Sequence, residues 1–98
     1  MTKATQNKKL EKIENISSEN ANEMIKISDL GVASAIITAG FEIVTMDKED
    51  PRRVKFVFSR KREIEKVVDE YWANHLKQKT RSFWDNVKNL KNRLHSND

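Results

Sequence analysis

The sequence contains no cysteine, one proline and two glycines. Without cysteine there is no disulfide, no thiolate metal site and no cysteine nucleophile. Two glycines are too few for a glycine-rich phosphate loop. Histidine is also scarce: His75 and His95 lie twenty residues apart and belong to no spaced metal-ligand pattern, so they read as exposed or capping side chains. Asp69 and Glu70 are adjacent, point apart on a helix and make no paired acid site. No apolar run approaches the roughly 20 residues of a membrane span. The first residues, MTKATQNKKLEKIEN, lack the apolar segment of a secretory signal. These absences predict a non-enzymatic, cytoplasmic protein with no catalytic residues, no metal, no cofactor and no membrane segment.

What is present is charge. Of 98 residues, 35% are charged and 37% hydrophobic, with a net charge of +4. That length suits one domain with a thin core. A positive balance favours nucleic acid, an anionic membrane or an acidic protein as partner and selects none of them.

Residues 1–26 are rich in Lys, Glu, Asn and Ser, and their five basic and four acidic side chains nearly cancel. Leu10, Ile13 and Ser17 give a weak stripe, so this part reads as a flexible or marginally helical tail. A compact domain is expected over 27–98. In SDLGVASAIITAG, Ser28 suits an N-cap, Asp29 a first turn, and Gly40 a stop. Leu30, Ala33, Ile36 and Ile37 share one face of that helix. The small residues Gly31, Ala33, Ser34 and Ala35 let it approach its neighbours closely.

Phe41, Ile43 and Thr45 alternate with Glu42, Val44 and Met46, which predicts a strand. Asp47 to Arg52 reads as a turn closing a hairpin onto Val54, Phe56 and Phe58, whose alternation places Lys55 and Val57 on the other face. Asp47, Glu49 and Asp50 in that turn read as solvated acids rather than as a cation site. A lone hairpin is marginal, so this one must lie across helices, recruit another strand or pair with a second copy. The half-apolar face carrying Val44, Met46 and Val57 makes a homodimer the expectation for the last case.

Ser59 suits an N-cap for a helix with Ile64, Val67, Val68 and Tyr71 on one face, extended by Trp72. Asn74 ends it. After ANHLKQK, with Thr80 or Ser82 as cap, Phe83, Val87, Leu90 and Leu94 form the cleanest amphipathic stripe in the chain. The expected fold class is α+β: a small single domain, helix–β-hairpin–helix–helix, with a weakly ordered N-terminal tail. Its predicted core is Leu30, Ala33, Ile36, Ile37, Phe41, Ile43, Val54, Phe56, Phe58, Ile64, Val67, Val68, Tyr71, Phe83, Val87, Leu90 and Leu94.

Arg52, Arg53, Lys55, Arg60, Lys61 and Arg62 are six cations in eleven positions with no acid among them. They read either as a solvated rim around a buried strand or as a phosphate-facing patch whose binding falls with salt. From Lys77 onward six basic residues face two acids, and Lys88, Lys91 and Arg93 decorate the last helix. Trp72 and Trp84 fit the apolar stripes imperfectly. At helical spacing these two and Tyr71 read first as core or core edge; of the three, Trp72 and Trp84 are the ones placed to reach a surface groove for base stacking or for anchoring a protein partner.

The segments SDLGVASAIITAGFEIV, PRRVKFVF, VVDEYW and FWDNVKNLKNRL carry a resemblance between Ile27 and Leu94. That stretch resembles a family of small bacterial and phage proteins known as a domain of unknown function. The resemblance implies prokaryotic or mobile-element origin and no particular activity. Members tend to carry a glycine shortly after the Tyr-Trp pair, where this chain has Ala73 and Asn74.

The functional expectation is a small nucleic-acid-binding accessory protein. It would contact phosphates through Arg52, Arg53, Lys55, Arg60, Lys61 and Arg62, assisted by Lys88, Lys91 and Arg93. The alternative is a protein-binding module, such as a phage-type inhibitor of a host nucleic-acid machine, gripping an acidic surface with the same cations and anchoring through Trp72 or Trp84.

Overall fold

The computed structural model of the chain describes residues 23–96. It is an α+β arrangement of a three-stranded antiparallel sheet and three helices. The elements run β1 (Met24–Ile27), α1 (Leu30–Thr38), β2 (Thr45–Asp47), β3 (Lys55–Ser59), α2 (Arg62–Trp72) and α3 (Thr80–Leu94). A hairpin is present as β2–β3, but its first strand is Thr45–Asp47 and not the predicted stretch from Phe41 to Met46; it does recruit another strand, and the sheet order is β1-β3-β2. Residues 24–26, assigned above to the tail, therefore belong to the sheet. The rest of that predicted tail, residues 1–22, lies outside the described residues.

Register decides which side chains enter the core. Ile25 and Ile27 stand opposite Phe58 and Phe56, and Met46 stands opposite Phe56 on the other side. These residues share the inner face. Met24, Lys26, Lys55, Val57, Thr45 and Asp47 take the outer one, because successive strand residues alternate. Here the prediction slips by one residue, since Thr45 points out and Met46 points in. The Val44 N–H donates to the Val57 carbonyl at 2.7 Å while Thr45 is the register partner of Val57. Two residues thus oppose one, as at a β-bulge, and the alternation changes phase there. Val57 is buried on the outer face. The Lys26 ammonium on β1 reaches the Asp47 carboxylate on β2 at 3.0 Å, across the strand that carries Val57. The apolar dimer face expected from Val44, Met46 and Val57 is therefore taken apart, and of the three only Val44 is exposed.

The middle of the domain is α1. It packs against β1, α2 and α3, and Val32, Ala33, Ser34, Ala35 and Ile36 are all buried. A helix covered on several sides has no single apolar stripe, which is why Val32 and Ala35 fall outside the one-face prediction. Ser34 is satisfied within the helix, its hydroxyl donating to the Leu30 carbonyl at 2.8 Å. Gly31 meets the Tyr71 phenol of α2, and a Cβ added there would overlap its hydroxyl. The close approach at Gly31 is thus to a tyrosine side chain and not to another backbone. Phe56, Phe58, Ile64, Val67 and Leu90 complete the buried cluster. Leu76, in the α2–α3 connection, packs against it without having been predicted. Val54 and Val87, predicted as core, are half-buried and lie outside the cluster.

The caps shift from their predicted residues. Asp29 rather than Ser28 caps α1, accepting from the Val32 N–H at 2.9 Å. Ser59 ends β3 instead of capping α2, and Lys61 and Lys79 occupy the N-cap positions of α2 and α3 without a side-chain bond. Gly40 ends α1 as predicted, at a φ of 109°. The Gly40 and Phe41 N–H groups donate to Ile37 and Ile36, the paired bonds of a Schellman motif. Asn74 repeats that motif after α2 at a φ of 63°, with Asn74 and His75 donating to Tyr71 and Glu70.

Two side-chain bonds tie α3 and the preceding connection to α1. The Asn86 amide donates to the Thr38 hydroxyl at 2.9 Å, and the Gln78 amide to the Ala35 carbonyl at 2.8 Å.

Candidate nucleic-acid interface

The six cations between Arg52 and Arg62 do not form one patch. An extended strand rises about 3.3 Å per residue, so Arg53 and Arg60 are held roughly 20 Å apart by the length of β3. Arg52 and Arg53 are exposed in the β2–β3 turn. Their backbone N–H groups close that turn onto the Asp50 carboxylate and the Asp50 carbonyl, at 3.0 and 2.9 Å. Lys55 opens β3 opposite Asp47, half-buried on the outer face. At the far end, Arg60, Lys61 and Arg62 lead into α2.

Arg60 is already engaged. Its guanidinium pairs with Glu23 at 3.5 Å and with Glu65 in the first turns of α2, while its N–H donates to the Glu23 carbonyl at 3.1 Å. It stitches the start of β1 to α2 and shares its charge with two carboxylates. Lys61 and Arg62 are exposed, but Glu63 and Glu65 follow them in the same turn.

The turn acids are engaged as well. The Asp47 carboxylate accepts the Glu49 N–H at 3.0 Å and the Lys26 ammonium at 3.0 Å. The Glu49 N–H, then Lys26, with Lys55 adding to it, hold the Asp47 carboxyl below its ordinary value. Among the described residues no group of three or more His, Cys, Asp or Glu is placed to hold a metal ion.

The second positive region keeps a net positive charge. Arg81, Lys88 and Lys91 on α3 recur at spacings of seven and three, with Trp84 between the first two, and so share one side of the helix. This side adjoins the buried stripe of Phe83, Leu90 and Leu94 and faces solvent. Arg81 is 94% exposed. Among the described residues one acid serves the group: Asp85 lies 3.8 Å from Arg81 and 3.7 Å from Lys88. Lys77 and Lys79, exposed in the connection before α3, line a cavity with Thr38, Ala39 and Ser82. Arg81 was missing from the predicted set, although its spacing to Trp84 and Lys88 was readable. Arg93 belongs elsewhere, on the rim of a groove of about 380 Å³ floored by Ile37, Phe41, Ile43 and Leu90.

The two tryptophans leave the core. Trp84 is 55% and Trp72 64% exposed. Trp72 lies edge-on to Tyr71, ring centroids 5.1 Å apart, and Tyr71 packs on the cluster.

The family model described as Domain of unknown function (DUF5659) matches residues 22–96. The chain belongs to this family. The matched stretch opens just before β1 and so includes the strand that joins the sheet from the N-terminal side. Neither a curated protein nor a solved structure matches the chain. No helix among the described residues is long and apolar enough to cross a membrane.

Proposed function

We propose that this DUF5659 member is a small, non-enzymatic nucleic-acid-binding accessory protein of prokaryotic or mobile-element origin. The observation that carries the reading is the solvent side of α3, where, among the described residues, Arg81, Lys88 and Lys91 face a single acid beside an exposed Trp84. Cations arrayed along a rigid helix neutralise phosphates and release their counterions, and that release drives binding. Arg52, Arg53 and Lys55 form a separate, weaker contact at the hairpin, and Arg60 contributes structure rather than affinity.

The test is fluorescence anisotropy of labelled DNA and RNA titrated with the full chain at low and high salt. The expected result is binding at low salt that weakens steeply as salt rises. No binding to any polynucleotide at low salt ends the reading. A second reading, an acidic protein surface as partner, draws on Trp72, whose exposed indole beside Tyr71 has the form of an interface anchor. Salt-resistant capture of a single host protein that depends on Trp72 would favour it.

A further inference from the structure

The α3 surface has a feature that phosphate binding alone does not use. Trp84 stands within a row of cations, with Arg81 one turn before it and Lys88 one turn after, about 5–6 Å away along the helix face. Among the described residues it makes no ring contact with another aromatic side chain, unlike Trp72 and Tyr71. More than half of the Trp84 side chain is exposed, which leaves indole surface that a ligand can cover. In a duplex the base faces are already stacked on one another. In a single strand they are free, and a base laid on the indole leaves its two flanking phosphates beside the cations one turn to either side.

We infer that α3 binds single-stranded nucleic acid, with Trp84 as the platform for one unpaired base and Arg81, Lys88 and Lys91 as its phosphate contacts. This rests on the nucleic-acid reading above and names its substrate class. Stacking on an indole is tolerant of base identity, because every base has a π-face. None of these contacts requires a 2′-hydroxyl, so DNA and RNA strands bind alike. The side of α3 away from Trp84 is closed by α1, with Asn86 fixed to Thr38. The strand therefore runs along the helix rather than around it.

The chain has two tryptophans, so a Trp72→Phe background leaves Trp84 as the sole indole and preserves a ring against Tyr71. In that background the full chain is titrated with an oligothymidylate, an oligouridylate and a DNA duplex of equal length. Single strands of both kinds should quench the Trp84 emission saturably and bind more tightly than the duplex. Trp84→Ala should weaken single-strand binding on the order of tenfold or more and leave duplex binding and the melting temperature unchanged. Trp84→Phe, which keeps a smaller ring, should recover part of the loss. Equal affinity for single strand and duplex, with the emission unquenched, overturns the inference while leaving the basic surface in place. So does undiminished single-strand binding by Trp84→Ala. Binding to none of the probes overturns this inference and the proposed function together.

Discussion

Asn74 holds a left-handed backbone, φ 63°, at the end of α2. Left-handed conformations cost a residue with a Cβ about 1–2 kcal/mol, less for Asn, and glycine almost nothing. Asn74→Gly should therefore raise stability, by up to about 1 kcal/mol after the greater freedom of glycine in the unfolded chain is counted. Asn74→Val should lower it by about 1 kcal/mol or more. Urea unfolding of the two variants settles the sign. Gly31 shows the opposite constraint. Alanine there would gain about 1 kcal/mol of helix propensity, but its methyl would overlap the Tyr71 hydroxyl. Because overpacking costs about 1–3 kcal/mol, Gly31→Ala should be a net loss. In a Tyr71→Phe background, which removes the overlapping oxygen, that loss should shrink. Additive effects in the double-mutant cycle would show that the two residues do not press on each other.

At the scale of the elements, the sheet is held across its outer face by Lys26 and Asp47, on strands that are not neighbours. The folded Asp47 carboxyl titrates below its ordinary value of 3.8, first because the Glu49 N–H donates to it and then because of Lys26. A depressed carboxyl contributes stability that is fully present above its unfolded value. That contribution is lost as pH falls through the folded value. The stability difference between wild type and Asp47→Asn should hold steady at neutral pH and close below about pH 4. A difference unchanged in acid would show that the carboxylate charge plays no part.

The same sheet marks where the sequence stops being legible. The alternation of Phe56 and Phe58 and the stripe of Phe83, Leu90 and Leu94 announce themselves, because one face is wet and the other dry. Met24–Ile27 does not. It is four residues in a polar context, and its partner lies some thirty residues on, so the pairing is invisible to a local pattern. The bulge at Val44 and Thr45 and the all-round burial of α1 mislead for a related reason: both depend on what packs from outside the segment.

For the molecule as a whole, charge density along the chain was a poor guide to charge density on the surface. Six cations close in sequence are drawn apart by a strand and partly neutralised by Glu23 and Glu65, whereas cations spaced by turns of α3 line up. Reversing two charges on each surface separates their roles. Lys88→Glu with Lys91→Glu should cut polynucleotide affinity at low salt strongly. The slope of log K against log salt should shallow by about 0.7 for each contact removed from a single strand. Arg52→Glu with Arg53→Glu should have a smaller effect. The reverse order would move the interface to the hairpin.

The position of α1 has one more consequence. β1, α2 and α3 each lean on it, so losing any one of them uncovers part of its buried surface. A version ending at residue 79 would bare the flank of α1 that Leu90 covers, and it should be cleared by cellular proteases rather than persist as a smaller working unit. Restoring the missing helix as a separate peptide should rescue it, if the peptide reaches the exposed flank before degradation does.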